Sequence, residues 1–166
     1  MIRDRIILED GRTLHLIGHV LYITLYISLI VSSIIFYNSA NLAASVYAGW
    51  IIFICGVVVL VSSSQTRRRS YEMREAFIQS GLYAYVRHPE FLGHMLITIS
   101  LISMAQHPIS IAIGSVLILL LFIEIMEEEK RNIEKFGEVY KDYMRRVPRI
   151  NLLAGIIKSI RERKPE

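Results

Sequence analysis

The chain has 166 residues, 53% of them hydrophobic and 20% charged, with a formal net charge of +4. Its mean hydropathy of +0.42 is too high for an ordinary soluble domain of this length. One cysteine, Cys55, sits in an apolar run, which excludes an intrachain disulfide and a multi-cysteine metal site.

Residues 1–13 read as a short polar lead. Acidic residues interrupt its basic ones, and the apolar run that follows is too long for a secretory signal and lacks a small-residue cleavage site. Four apolar stretches follow, at about 14–36, 42–61, 89–105 and 108–126. A bilayer crossing takes roughly 20 apolar residues as helix. The expectation is therefore an all-α membrane bundle of four spans, the third the shortest. A single unit over 1–166 would end in a cytoplasmic helical segment.

Tyr37-Asn38-Ser39-Ala40-Asn41 is a turn-like cluster between spans one and two. Ser62 to Thr66 leaves the membrane, Arg67-Arg68-Arg69 marks the headgroup level, and Tyr71 to Ile78 reads as a short interfacial helix that Gly81 ends. Pro89 and Pro108 suit the first turns of spans three and four, where a missing N–H leaves nothing unpaired. Nothing breaks the helical pattern from Pro108 to about Lys135, so span four should continue beyond the membrane. Ile150 to Ile160 is apolar with Lys158 and Arg161 at its end, which fits a helix lying in the interface.

All 19 Lys and Arg residues fall in 3–12, 67–87 and 130–164, and the other two connections carry none. The positive-inside rule places both termini and the 62–88 segment in the cytoplasm. The positive charge thus reads as membrane topology and lipid attraction, with no nucleic-acid partner.

Two segments concentrate polar groups on that face. Arg87-His88-Pro89 opens span three, where unpaired N–H groups favour an anion and Arg87 adds a fixed charge. Glu127, Glu128 and Glu129 lie where span four leaves the membrane, in reach of ordinary surface pairs with Lys130, Arg131 and Lys135. Glu124 lies one turn earlier, inside the apolar run and on the face of Glu128, which marks it as a functional candidate. Phe136, Tyr140 and Tyr143 recur at i, i+4, i+7, a packing stripe or aromatic belt. His15 and His19 lack a nearby carboxylate or cysteine and read as packing residues, so no metal is expected. His94 reads equally as a pocket-lining residue or a satisfied membrane histidine.

The combination of Gly81-x-Tyr83-x-x-x-Arg87-His88-Pro89-x-Phe91-x-Gly93, a membrane hairpin, Glu128-Glu129, Phe136-Gly137-x-x-Tyr140-x-x-Tyr143 and Arg146-Val147-Pro148 is specific. It resembles the membrane-bound methyltransferase family that includes isoprenylcysteine carboxyl methyltransferases and small phospholipid N-methyltransferases. The resemblance covers about residues 75–150 and implies S-adenosyl-L-methionine as cofactor. It assigns Tyr83, His88, Pro89 and Phe91 to the cofactor pocket, with Glu75, Ala76, Phe77 and Ile78 just before them. It matches Glu128 and Glu129 to the family's Glu pair. Phe91 replaces the family's usual Tyr, Leu82 and Ala84 stand where many members have Pro and Arg, and the proline that often follows Arg-Val-Pro-Arg is missing.

The expected activity is methyl transfer to a membrane lipid or lipidated small molecule, with Arg87 and Glu124 as catalytic candidates. Prenylcysteine enzymes of the family carry an arginine at the position of Glu124. A carboxylate there suits an amine headgroup and would serve as base for deprotonating it. The rivals are an NADPH-dependent membrane reductase of the sterol-reductase type and a non-catalytic lipid-binding protein.

Overall fold

A computed structural model describes residues 2–73 and 77–162, with side chains for 18–73 and 77–161. Glu75 and Ala76 lie outside the described residues, so the structure neither supports nor removes their assignment. Every regular element is helical: α1 (Ile2–Ile35), α2 (Ala43–Glu72), a 3-10 turn (Gly81–Ala84), α3 (Pro89–Ala105), α4 (Pro108–Phe136), α5 (Glu138–Arg146) and α6 (Leu152–Glu162). The described residues hold three helices long and apolar enough to cross a membrane, Gly18–Ile35, Ala43–Glu72 and Pro108–Phe136, with Pro89–Ala105 a shorter apolar fourth. At 17 residues α3 is roughly 25 Å long, slightly less than a typical hydrocarbon core. The chain is an integral membrane helical bundle.

Two expected boundaries fail. The polar lead is not separate: α1 begins at Ile2, since its first turns hold no proline and a lone Gly11 costs helix only about 1 kcal/mol. The second is at the far end of α2, which runs past the 42–61 span to Glu72 and takes in Tyr71, so no separate helix begins there; 74–76 lie outside the described residues. Ser63 Oγ donates to the Leu60 carbonyl at 2.9 Å and Thr66 Oγ1 to the Ser62 carbonyl at 3.0 Å. Hydroxyls bonded back in this way stay within the helix rather than breaking it. Gly81, at φ +57°, starts the 3-10 turn rather than ending a helix.

Small residues bring α2 against α3. Gly49, Gly56, Ser63 and Ser70 recur every seven residues on α2, and all four are buried. A Cβ on Gly56 would stand 3.1 Å from the Gly93 carbonyl oxygen and 2.9 Å from Ile97. Close backbone approach of this kind is how membrane helices associate without a hydrophobic drive. Ser32 and Ser110, hydrogen-bonded at 2.6 Å, join α1 to α4.

Both charge-free connections sit at one end. Asn38 N–H donates to the Met104 carbonyl at 2.8 Å, and the Gln106 side chain bonds the Leu42 backbone at 2.9 and 3.1 Å. The arginine-rich end of α2 lies at the other, where Arg67 pairs with Glu90 at the start of α3. The charge asymmetry of the sequence is thus an asymmetry between the two ends of the bundle.

Candidate functional site

The two motifs meet through their backbones. Arg87 N–H donates to the Pro148 carbonyl at 2.9 Å and His88 N–H to the Arg149 carbonyl at 3.1 Å. Tyr143 Oη donates to the Tyr83 carbonyl at 2.6 Å. Gly137, at φ +57°, breaks α4 from α5 and turns the Tyr140–Tyr143 face back over the 3-10 turn.

Glu129 is the electrostatic centre of this junction. Its carboxylate lies 3.1 Å from Arg87 Nη2 and 3.3 Å from His88 Nε2. Arg149 grips both its oxygens, Nε at 3.1 Å from Oε1 and Nη2 at 2.6 Å from Oε2. Its side chain is 5% exposed, that of Arg87 8% and that of His88 3%. A buried carboxylate in such company is a structural tie: removing it would leave the buried guanidinium of Arg87 without a counter-charge.

A cavity of about 460 Å³ opens beside the tie, lined by Arg67, Ser70, Tyr71, Phe77, Ile78, Tyr83, Arg87, Glu128, Asn132, Lys135, Phe136, Tyr140 and Tyr143. That volume lies in the usual range for small-molecule sites. Phe77 anchors its aromatic wall, with its ring 5.2 Å from Phe136, 5.7 Å from Tyr140 and 5.5 Å from Tyr143. Burial, and secondarily Glu90, pushes the Tyr83 phenol up to about 12. Burial also raises the phenols of Tyr140 and Tyr143, so all three remain protonated donors at neutral pH.

Arg87 is the one residue that belongs to both the tie and the cavity wall. Its Nε and Nη1 are buried and find no hydrogen-bond partner among the described residues. Buried donors of a charged group are costly to leave unpaired, so they mark a place for an anion.

The structure divides the expected residues. Phe77, Ile78, Tyr83, Arg87 and Glu128 line the cavity. His88, Pro89, Phe91 and Glu129 do not border it and stand behind it. His88 lies between Glu128, at 3.8 Å, and Glu129. Pro89 is fully buried, and Phe91 packs on His88 and on the Met95, Leu121 and Ile125 cluster. Glu124 does not border the cavity either. Its half-exposed carboxylate pairs with Arg131 Nη2 at 2.9 Å. His94 lies within the bundle, edge-on to Tyr22 and Tyr26 of α1.

Sequence reasoning missed Arg67, Ser70, Tyr71, Asn132 and Lys135. The first three lie beyond the 42–61 span, where the sequence reads as a headgroup-level and interfacial segment rather than a cavity wall. Asn132, Lys135 and Phe136 follow Glu128 at i+4, i+7 and i+8, a stripe that the helical period would have exposed. Arg149, which holds Glu129, was seen only as part of a motif.

The profile of a family described as Protein of unknown function (DUF1295) matches residues 5–147. The chain is also 36% identical over 72 residues to Protein-S-isoprenylcysteine O-methyltransferase from Mus musculus, and equally to that from Rattus norvegicus. Each match covers 43% of this chain and 25% of the relative, so the chain aligns with only a quarter of the length of these relatives. No solved structure matches. With the family profile spanning residues 5–147, most of its length, the chain belongs to the DUF1295 family.

Proposed function

We propose that this chain is an integral membrane methyltransferase that uses S-adenosyl-L-methionine and methylates a lipid-like, amphipathic acceptor from the cytoplasmic face. The observation that carries this reading is Arg87, which lines a cavity that also holds Glu128 and whose Nε and Nη1 are buried without a hydrogen-bond partner among the described residues. The residues fit the cofactor's chemistry. Arg87 would hold its carboxylate by a charge-assisted hydrogen bond. Glu128 would accept from its ammonium or ribose hydroxyls. The wall of Phe77, Phe136 and Tyr140 would pack on its base.

When bound, the cofactor supplies a methyl group already made electrophilic by its sulfonium. The chain's own work is then to position and to exclude water. Glu129 fixes Arg87 from behind, and the Tyr143–Tyr83 bond fixes the aromatic wall. The cytoplasmic placement rests on the positive-inside rule, supported by both charge-free connections lying at the opposite end of the bundle.

For the acceptor, the ion pair of Glu124 with Arg131 weakens the case for an amine that this carboxylate would deprotonate. A carboxylate acceptor needs no base and is the simpler substrate class. The test is transfer of labelled methyl from S-adenosylmethionine to prenylcysteine analogues and to amine phospholipids by the purified chain. Labelling of either supports the proposal, and labelling of neither across a broad lipid extract counts against it.

A second reading has one observation in its favour. Among the described residues, Arg67, Arg87 and Lys135 line the cavity with Glu128 as its one carboxylate. Such a lining also suits the phosphates of NADPH in a reductase of the sterol-reductase type, and binding of that nucleotide would favour it.

A further inference from the structure

We propose that α6 is a docking surface for an anionic bilayer, lying along the headgroups with its outer face in the lipid. Three observations carry this. The first is a face without a protein partner. Leu153, Ile156, Ile157 and Ile160 are 74%, 37%, 55% and 56% exposed, and their i, i+3, i+4, i+7 spacing puts them on one side of the helix. Leaving four such side chains in water forfeits stabilisation that burial in lipid would supply.

Second, α6 is held against the protein by another face. A Cβ on Gly155 would lie 1.7 Å from the Tyr85 carbonyl oxygen, so the helix backbone rests directly on that carbonyl. Lys158 Nζ donates to the Arg145 carbonyl at 2.8 Å, and Asn151 Oδ1 caps the first turn by accepting from Ala154 N–H at 2.9 Å. These anchors fix the helix while leaving its apolar side free.

Third, its height is continuous with the membrane boundary. Ile150, two residues before α6, packs on Met95, Leu121 and Ile125 of the spanning helices. Pro148 and Arg149 run beside the start of α3. The helix therefore begins where the apolar layer ends. Lys158 and Arg161 on α6, with Arg145 and Arg146 at the end of α5, are all exposed and give the region a cationic edge. Apolar face and cationic edge together are the pattern of a helix bound to anionic headgroups.

The experiment uses the full chain in nanodiscs, with the single tryptophan, Trp50, replaced as Trp50→Phe. Ile157→Trp then reports the outer face and Ser159→Trp, roughly 160° round the helix from it, a face turned elsewhere. With phosphatidylglycerol brominated high on its acyl chains, Ile157→Trp should lose at least half its fluorescence and Ser159→Trp much less. Double replacement of Leu153 and Ile160 by Ser, in the Ile157→Trp background, should reduce that quenching. Unquenched Ile157→Trp, or equal quenching at both positions, overturns the proposal. So does a disulfide-linked dimer formed by Ile157→Cys, which would assign the face to a second copy. None of these readouts depends on what the cavity binds, so failure here leaves the methyltransferase proposal standing.

Discussion

Glu128 and Glu129 are neighbours in sequence with opposite placements. Glu128 borders the cavity with a side chain 37% exposed, whereas Glu129, at 5%, is enclosed by Arg87, His88 and Arg149. One residue along a helix turns the side chain by roughly 100°, enough to give one carboxylate to a ligand and the other to the fold.

The two residues should therefore fail differently. Glu128→Ala should keep the fold and weaken S-adenosylhomocysteine by about ten- to a hundredfold, the loss of a charge-assisted hydrogen bond. Glu129→Ala should destabilise the protein by about 3–5 kcal/mol, because it strands the buried guanidinium of Arg87. Thermal unfolding in detergent beside ligand titration separates these outcomes. A stable Glu129→Ala protein with only a binding defect would contradict the division of labour.

Glu124→Gln tests the acceptor argument. Its partner Arg131 is 51% exposed, and exposed pairs contribute about 0–1 kcal/mol. Stability and cofactor affinity should barely move, and methylation of a carboxylate acceptor should persist. A selective loss of amine methylation would restore Glu124 as a base.

Tyr143→Phe removes the bond to the Tyr83 carbonyl and should cost about 1–3 kcal/mol, since a buried acceptor is left unpaired. The same residues predict an alkaline limit. The folded phenols of Tyr83, Tyr140 and Tyr143 all titrate above their unfolded value of 10. Below pH 10 both states keep these protons and nothing is lost. As pH rises from 10 towards 12, the unfolded state releases protons that the folded state retains, so stability falls. The unfolding midpoint measured across that window should drop, and a flat profile would contradict the burial of these phenols.

For topology, cysteines at Ser39 and Ala40 should label from outside the cell, and one at Arg69 only after permeabilisation. External labelling at Arg69 would invert the bundle.

Much of this was legible in the sequence because the membrane restricts the alternatives. Pro89 and Pro108 start their helices as expected, and α4 runs on past Lys135 to Phe136. What was not legible depends on side-chain partners. Ser62 to Thr66 read as a membrane exit, with headgroup-level and interfacial residues beyond it; their hydroxyls bond back, and the helix they continue carries Arg67, Ser70 and Tyr71 to the cavity. His88 and Glu129 belong to two separate motifs, and the resemblance assigns each to the cofactor site. Only the docking of 148–149 beside 87–88 shows that they lie 3.3 Å from each other. Glu124 shares the helical face of Glu128, yet Arg131, seven residues on, draws it into an ion pair away from the cavity.

The most direct test of the central claim is calorimetric titration of the purified chain in detergent with S-adenosylhomocysteine and, separately, with NADPH. The account predicts saturable binding of S-adenosylhomocysteine, weakened about ten- to a hundredfold in both Arg87→Lys and Glu128→Ala, and no binding of NADPH. Binding of NADPH with none of S-adenosylhomocysteine would contradict it.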